Sequence, residues 1–451
     1  MEEMPNKSHV LVLPFPVQGH INPMVQFSKR LTSRGSVKVT LITIDSVSKS
    51  MPILESGTIK IHSIPHDDDS PPESYDLFLE WFHVLVSKNL TKIVEKLSDS
   101  EYPVKVVVFD SITTWAIDLA HQLGLKGAAF FTQSCALSVI YYHMDPEKSE
   151  VPFDGSPVSL PSLPLLEKQD LPSFVCQSDL YPSLRKLVFS RNINFKKADW
   201  LLFNSFDVLE KEVIDSLRSQ YRIKTIGPII PSMYLDKRLK DDKEYGLSLF
   251  KPNSETCMKW LDSRETGSVV YVSFGSLASL GEQQMEELAS GLMTSNCYFL
   301  WVVRATEQDK LTEEFMSKSK EKGLIVNWCP QLDVLSHRAV GCFFTHCGWN
   351  STLEALSLGV PMVTMPQWSD QPTNAKFICD VWQTGVRVKV GENGVITREV
   401  VASSIREVME EEKGVILKEN ATKWKQLAKE AVDEGGSSDK NIEEFLKLVM
   451  H

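Results

Sequence analysis

Two residues of the amino-terminal half have side chains that could act together as a base. His20 follows the first β-rich run and precedes a helix that Pro23 could start, while Asp110 ends a later run, just before a helix that opens with Ser111. Ligands of open α/β sheets bind beyond the carboxyl ends of parallel strands, so the two side chains could meet there. An imidazole beside a carboxylate can take the proton of a hydroxyl group. The alternative is that His20 is a loop histidine and Asp110 a helix cap.

A second set of candidate residues lies within residues 328–371. The β-rich run VGCFFTH leads into the turn CGWNS at 347–351, and the pattern STLEALSL that follows is helical. A glycine-containing turn before a helix offers main-chain N–H groups and the positive end of the helix dipole, which together suit a diphosphate without a metal ion. His346, Asn350 and Ser351 would add side-chain donors at that point.

Other side chains of this segment have two interpretations each. Trp328, closing the run LIVNW, could stack on a nucleotide base, and Gln331 and Glu354 could bind sugar or ribose hydroxyls. Alternatively, Trp328 is a half-buried aromatic residue, Ser351 and Glu354 form a capping box, and Asp370 caps the helix that follows it.

Short β-rich runs alternate with helical patterns along the whole chain, which predicts parallel sheets covered by helices in two α/β domains. We place the domains at 1–240 and 251–437, with a surface linker at about 230–254, where a dense mixed-charge run lacks apolar periodicity. In the helix predicted at 438–451, an apolar stripe must dock on another element. The runs lie at 10–15, 38–43, 59–64, 104–110, 127–132, 200–205 and 223–228, and then at 268–275, 298–303, 324–328, 340–346, 361–366 and 386–390.

Composition excludes several classes of function. The 451 residues carry 48 Lys and Arg against 59 Asp and Glu, a net charge of −11, and no basic stripe, which argues against binding to nucleic acid or anionic membranes. We see no signal peptide and no apolar run long enough to span a membrane, so we expect a cytoplasmic protein. The eight cysteines are dispersed without a C-x-x-C pair, so we expect no disulfides.

The motifs of other enzyme classes are missing. The sequence contains no G-x-G-x-x-G after a strand, no P-loop and no G-x-S-x-G, which argues against dinucleotide oxidoreductases, P-loop enzymes and serine hydrolases. Asp67-Asp68-Asp69 formally matches a metal-binding D-x-D, but we interpret it as a solvated acidic loop. Cysteines and histidines between 329 and 347 fit no common zinc spacing.

Residues 328–371 resemble the signature of plant family 1 UDP-dependent glycosyltransferases, W-x-P-Q…H-x-G-W-N-S-x-x-E…G-V-P…P-x-x-x-D-Q, at every characteristic position. The resemblance extends over nearly the whole chain, with P-x-x-G-H-x-x-P at 16–23, F-G-S at 274–276 and the carboxyl-terminal helix. It implies the GT-B fold, two facing Rossmann-like domains with a ligand cleft between them. The first domain would bind the acceptor, the second would bind the donor, and the last helix would pack back onto the first.

The resemblance also implies roles for individual residues. His20 would be the base and Asp110 its partner, in an inverting transfer from UDP-glucose that needs no metal or other cofactor. A glutamine at the end of the signature, here Gln371, is associated in this family with glucose rather than galactose as the donor sugar. In the donor site, Trp328 would lie on uracil, and Gln331 and Glu354 would bind the ribose. The phosphates would be bound by His346, Asn350 and Ser351, with Ser276 nearby. The residues that would face the sugar are Trp349, Asp370, Gln371 and Thr132.

The acceptor is the least determined part of the prediction. The chain looks closest to a subgroup that glucosylates triterpenoids, steroids, phenolics and small carboxylic acids, so a β-glucoside and a glucose ester are both possible products, and a non-catalytic nucleotide-sugar binding protein is a distant alternative. We expect a monomer. Aromatic residues that could line an apolar acceptor site, or simply pack in the core, are Phe15, Trp81, Phe82, Trp115, Phe131, Tyr141 and Tyr142.

Overall fold

Two parallel β-sheets organise the part of the chain that the computed structural model describes, namely residues 7–35, 37–49, 51, 59–65, 72, 74–145, 155–177, 182–246 and 252–450. The strands of the first sheet are β1 (Ser8–Leu13), β2 (Val37–Ile44), β3 (Ile59–Ile64), β4 (Val104–Asp110), β5 (Lys126–Phe131), β6 (Trp200–Phe203) and β7 (Ile223–Thr225). Those of the second are β8 (Val269–Ser273), β9 (Tyr298–Val302), β10 (Gly323–Val326), β11 (Val340–Thr345), β12 (Met362–Thr364) and β13 (Gly385–Arg387).

Helices follow most of the strands. They are α1 (Gln18–Thr32), α2 (Asp45–Ser48), α3 (Tyr75–Leu97), α4 (Trp115–Gln122), α5 (Cys135–His143), α6 (Ser173–Cys176), α7 (Pro182–Ser190), α8 (Asn194–Lys197), α9 (Lys211–Arg218), α10 (Ser254–Asp262), α11 (Glu282–Thr294), α12 (Glu313–Lys318), α13 (Gln331–Ser336), α14 (Trp349–Leu358), α15 (Gln371–Lys376), α16 (Arg398–Met409), α17 (Glu412–Val432) and α18 (Ser437–Met450). Short 3-10 helices lie at Lys168–Asp170, Arg191–Ile193, Ser232–Tyr234, Ala305–Lys310 and Ser319–Glu321, and a π-helix at Phe377–Val381.

The strand order creates one switch point in each sheet. The first sheet runs β3-β2-β1-β4-β5-β6-β7 and the second β10-β9-β8-β11-β12-β13. The chain therefore winds in opposite directions from β1 and β4, and again from β8 and β11, which leaves a crevice beyond the carboxyl ends of each pair. His20 and Asp110 follow β1 and β4, and Ser276 and residues 346–351 follow β8 and β11.

Each predicted β-rich run overlaps one of these strands, which confirms the predicted α/β organisation. Three local predictions are wrong. Pro23 lies inside α1, whose first turn contains His20, and the helix after Asp110 begins at Trp115. Strand β10 ends before Trp328, which lies in the loop that follows.

The chain forms two compact units. The first comprises Met1–Lys168, Phe174–Leu249 and Glu430–His451, and the second comprises Gln169–Ser173 and Phe250–Lys429. Strand residues such as Val10, Val108, Val270 and Phe344 are fully buried, so each sheet forms the centre of its own unit.

The apolar stripe of α18 is buried within the first unit. Ile442, Phe445, Leu446 and Val449 are all buried, as the helical spacing predicts. The ring of Phe445 packs edge-on against Trp200 of β6, with centroids 5.6 Å apart. Burial of each such side chain stabilises the fold by about 1.5–3 kcal/mol.

The predicted surface linker is wrong for residues 230–246, which pack on α1. Lys29 Nζ lies 2.7 Å from Asp242 Oδ1, and Arg30 Nη1 lies 2.9 Å from Asp236 Oδ2. Gln26 Nε2 also donates to the carbonyl of Glu244, over 2.7 Å. The sequence of the mixed-charge run suggests a linker because the residues that it contacts lie more than 200 positions earlier in the chain.

All eight cysteines are free. None of the helices in the described ranges combines the length and apolar character that crossing a membrane would require.

Candidate active site

The end of strand β4 brings Asp110 to His20, which lies just after β1. His20 Nδ1 is 2.6 Å from Asp110 Oδ2, and Thr132 Oγ1, after β5, is 3.3 Å from the same nitrogen. The carboxylate is fully buried, whereas the imidazole side chain is 22% exposed. Because a carboxylate can only accept, Nδ1 donates to it, and Nε2 keeps the lone pair that can take a proton.

The two alternatives for this pair are wrong. His20 lies in the first turn of α1 rather than in a loop. The residue preceding α4 is Thr114, so Asp110 does not cap that helix. Its second oxygen, Oδ1, instead accepts the main-chain N–H of Ile112 over 3.2 Å and stabilises the turn after β4.

Aromatic rings extend from the imidazole. Phe15 lies edge-on to His20, with centroids 5.9 Å apart, and contacts Phe82, which in turn contacts Trp115. Phe78 contacts Phe15, Phe82 and Trp81 and completes the group. Sequence reasoning missed Phe78, although its spacing from Trp81 and Phe82 on α3 places the three residues on one helix face. These five aromatic residues, Phe15, Phe78, Trp81, Phe82 and Trp115, are called the aromatic group below.

Three predicted acceptor residues have other neighbours. Phe131 stacks on Phe203 at 4.3 Å within the core. Tyr141 is buried against Phe189, and exposed Tyr142 contacts Phe195, at 5.2 and 6.2 Å between centroids. The core-packing interpretation therefore fits Phe131 and Tyr141.

The amino-terminal end of α14 has the geometry expected for an anion site. Gly348 precedes the helix, and the first helical hydrogen bond runs from Thr352 N to Gly348 O over 2.9 Å. The main-chain N–H groups of the first turn of α14, residues 349–351, thus have no partner within the helix, and the dipole is positive there. Half-buried Asn350 and buried Ser351 lie in this turn.

His346 precedes this turn and carries no charge near neutral pH. Burial lowers the pKa of its imidazole to about 4. Its Nδ1 is buried and has no hydrogen-bond partner among the described residues. A neutral imidazole can donate one hydrogen bond to a phosphate, but it adds no positive charge.

Two glycines make room for this ring. A Cβ atom at Gly275, in the F-G-S motif, would lie 2.8 Å from His346 Nε2, and one at Gly348 would lie 2.6 Å from it. Gly275 also has a φ of +72°, which favours glycine. The two motifs are thus coupled through the side chain of His346, although 73 positions separate the glycines.

Gln331 joins the predicted ribose residues in one network. Its Nε2 donates to Ser351 Oγ over 3.0 Å and to Glu354 Oε2 over 2.5 Å. Its Oε1 accepts from the hydroxyl of buried Tyr271 over 2.9 Å. The capping box is wrong, because Ser351 is the third residue of α14 and Gly348 precedes the helix. Tyr271 was missed, since nothing in its strand pattern distinguishes it from a core residue.

Two more predicted residues lie in loops after strands of the second sheet. Trp328 is half-buried, and its carbonyl accepts from Asn253 N over 3.0 Å. Ser276 is half-buried after β8, and its carbonyl accepts from Arg304 Nη1 over 2.7 Å. Arg304, which sequence reasoning missed, holds this loop in place.

The predicted sugar residues differ in what they can offer. Gln371 Oε1 accepts the main-chain N–H groups of Gln367 and Trp368, over 2.8 and 3.1 Å, so its amide NH2 is the group suited to a ligand. Asp370 Oδ2 accepts from Asn374 Nδ2 over 2.7 Å and makes no side-chain cap to its helix, so the cap interpretation is wrong.

Trp349, which is predicted to face the sugar, is the first residue of α14. The indole is buried and packs against Trp382, with centroids 6.1 Å apart. Its main-chain N–H, at the first position of α14, is the group suited to a ligand.

The described part of the chain holds no cluster of side chains suited to a metal ion. Within the described ranges, no three or more His, Cys, Asp or Glu side chains are grouped so that they could hold a metal ion. The acidic run Asp67-Asp68-Asp69 lies outside those ranges.

Comparison with known proteins identifies the family. The model of the family "UDP-glucoronosyl and UDP-glucosyl transferase" matches residues 201–432. UDP-glycosyltransferase 74E2 of Arabidopsis thaliana is 49% identical over 98% of this chain and 99% of its own length. The chain belongs to this family. A mogroside I-E synthase of Siraitia grosvenorii is 48% identical over 98% of each chain.

A solved structure agrees with this membership. Os79 from O. sativa, crystallised in complex with UDP, superimposes with a TM-score of 0.90 at 37% identity, covering 98% of this chain and 100% of that one. The predicted fold class, α/β with two sets of parallel strands, is confirmed. The protein is a UDP-glycosyltransferase that transfers a sugar to small-molecule acceptors.

Proposed function

We propose that this glycosyltransferase transfers glucose from UDP-glucose to a hydroxyl group of a lipophilic small molecule and forms a β-glucoside. The observation that carries the proposal is the short contact between His20 Nδ1 and Asp110 Oδ2, 2.6 Å, beside the aromatic group. A base oriented by a buried carboxylate is needed to activate a hydroxyl, and an apolar wall suits a lipophilic acceptor.

The reaction is a single displacement. His20 Nε2 takes the acceptor proton as the acceptor oxygen bonds to the anomeric carbon, and the bond from that carbon to the phosphate oxygen breaks on the opposite face. UDP leaves with the electron pair, and the N-terminal end of α14 stabilises its growing charge. Asp110 stabilises the imidazolium that forms. No metal or other cofactor takes part in this scheme, so activity in EDTA should equal activity without it.

Glucose as the donor sugar is supported by Gln371 and by the glucosyl transferases in the family's description. The side-chain oxygen of Gln371 is already held by two main-chain N–H groups, so its amide donates in a fixed direction. A fixed donor distinguishes hydroxyl orientations better than a freely rotating one.

Triterpenoids, steroids and phenolics are the proposed acceptors. The subgroup resemblance supports all three, and the relative named mogroside I-E synthase favours triterpenoids among them. A carboxylic acid acceptor, which would give a glucose ester, is already ionised at neutral pH and would not need the His20–Asp110 pair.

The decisive experiment measures UDP release and product formation from UDP-glucose with a panel of triterpenoids, sterols, phenolics and benzoic acids. We expect turnover with hydroxyl acceptors and a β-linkage in the product by NMR coupling constants. Turnover confined to carboxylic acids would show that the enzyme is an ester-forming transferase, and binding of UDP-glucose without transfer to any acceptor would contradict the proposal.

A further inference from the structure

A five-residue segment, Gln169–Ser173, belongs to the second unit, although Lys168 before it and Phe174 after it belong to the first. We call this segment the strap. Asp170, Leu171, Pro172 and Ser173 are buried, so the strap is an integral part of the second unit and not a surface loop.

The carboxyl-terminal end of the strap holds Ser369. Ser173 N donates to Ser369 O over 3.0 Å, and Ser369 N donates to Ser173 Oγ over 2.7 Å. Ser369 has a φ of +60°, which is unfavourable for a residue other than glycine and persists only where neighbouring contacts enforce it. The strap thus contacts the residue immediately before Asp370 and Gln371.

The other end of the strap holds α15 and β13. The buried carboxylate of Asp170 pairs with Arg387 Nη1 at 2.7 Å and with Lys376 Nζ at 3.6 Å. The carbonyl of Asp170 accepts from Thr373 Oγ1 over 2.7 Å. Thr373 and Lys376 belong to α15, so the strap contacts this helix near both ends.

The segment held in this way carries the residues assigned to the sugar, Asp370 and Gln371. A second set of contacts comes from Asn374 of α15. Its Nδ2 donates to Cys347 O over 2.9 Å and to Asp370 Oδ2 over 2.7 Å, and so connects the segment to the turn before α14. The sugar residues are thus positioned by two sets of contacts, and the strap provides one of them.

We infer that the strap is a positioning element for the donor sugar: it sets the place of Asp370 and Gln371 and so determines which hexose is accepted, without touching the ligand itself. The inference rests on the proposed function only in its assignment of these two residues to the sugar. The groups assigned to uracil, ribose and phosphates lie on other elements, so disturbance of the strap should affect the sugar and leave UDP binding intact.

The test uses two substitutions in the full-length enzyme. Ser173→Ala removes the acceptor for Ser369 N, and Asp170→Asn removes the charge that pairs with Arg387. Ser295→Ala is a matched control for the first, because Ser295 Oγ accepts from Cys297 N in the same unit. Glu287→Gln is the control for the second, because Glu287 pairs with Arg398 at 2.6 Å.

Three quantities are measured, namely the KM for UDP-glucose, the ratio of kcat/KM for UDP-glucose to that for UDP-galactose, and the Kd of UDP by calorimetry. In both strap variants we expect the KM to rise and the ratio to fall by roughly three- to tenfold, as for the loss of one or two hydrogen bonds, while the Kd of UDP changes less than about twofold. The controls should match the wild type in all three quantities.

An equal loss of UDP and UDP-glucose binding would overturn the inference, and so would wild-type sugar discrimination in Ser173→Ala. If Asp170→Asn does not fold, Ser173→Ala alone decides. Failure of the proposed function looks different, because the wild-type enzyme would then prefer another UDP-sugar. In that case the KM for the preferred UDP-sugar is compared with the Kd of UDP in the same variants, and this comparison still decides the role of the strap.

Discussion

At the scale of single residues, two histidines that each follow a strand have different environments. His20 is partly exposed and hydrogen-bonds to a buried carboxylate, which suits a group that gains a proton during the reaction. His346 is close to two glycines and has no carboxylate partner of this kind, so burial keeps it neutral. The first can act as a base, and the second can only donate or accept a hydrogen bond.

His20→Ala should lower kcat with hydroxyl acceptors by about 10²–10⁴-fold, because the general base is lost. UDP release with a steroid or phenolic acceptor measures this effect. His121→Ala is the matched control, since His121 pairs with Asp199 at 3.0 Å in the same unit. Near-wild-type turnover of His20→Ala on an alcohol would refute the role of the imidazole, whereas unchanged turnover on a carboxylic acid only would favour ester formation.

Asp110→Ala should also impair transfer, since the imidazole loses the carboxylate that fixes its tautomer and stabilises its charged form. We expect a clear fall in kcat and an unchanged Kd of UDP by calorimetry. Asp118→Ala, at an exposed pair with Lys197, should behave as the wild type. Loss of UDP binding in Asp110→Ala would mean that Asp110 acts in the donor site.

His346 predicts a particular pH dependence of donor binding. An imidazole with a pKa of about 4 is neutral above pH 5 and gains its charge only as the pH falls toward 4, where it would strengthen diphosphate binding. Between pH 6 and 8, the Kd of UDP-glucose measured by calorimetry should therefore change by the same factor in the wild type and in His346→Gln. A wild-type affinity that falls tenfold over this range, and does not in the variant, would show that the bound state has a charged imidazole.

At the scale of secondary-structure elements, α5 shows how a distant residue fixes the start of a helix. Glu210, buried before α9, accepts the main-chain N–H groups of Cys135 and Ala136 over 3.0 and 2.8 Å. Ser134 Oγ accepts from Leu137 N over 3.1 Å. Burial raises the pKa of Glu210, and these donors with the positive end of the helix dipole compensate its charge. This helix follows Thr132, the neighbour of His20.

Glu210→Ala should lower the free energy of unfolding of the first unit by about 2–4 kcal/mol, because two buried N–H groups lose their acceptor. Urea unfolding followed by tryptophan fluorescence measures the change. Glu212→Ala, at an exposed position in α9, is the control and should change stability by less than about 0.5 kcal/mol. Equal midpoints for the two variants would contradict the capping role.

At the scale of the whole molecule, the two ends of the chain belong to one unit. Phe445 of α18 contacts Phe27 of α1 and Trp200 of β6. Asn441 Nδ2 donates to the carbonyl of Thr225, over 2.8 Å, so the last helix also bonds to the end of β7. The stability of the unit that carries His20 therefore depends on the last residues of the sequence.

Phe445→Ala should destabilise the first unit by about 3–5 kcal/mol, the usual cost of deleting a buried phenyl group. Hydrogen exchange should accelerate in peptides of β1, α1 and β6 and stay unchanged in β8 and β11. Leu448→Ala, at a half-exposed position of the same helix, is the control. Equal acceleration in both sheets would show that α18 stabilises the two units together.

The sequence alone determined the elements and the types of residue at their ends. Alternating apolar patterns predicted the strands of both sheets, and the motif around 347–351 predicted the anion site, because both signals are local. Tertiary structure decided which distant groups meet. It places Asp110 beside His20, 90 positions away, replaces the capping box of Glu354 by a bond to Gln331, and turns a supposed linker into part of the first unit. Such contacts depend on the strand order and on which strand ends are neighbours, and no local pattern encodes either.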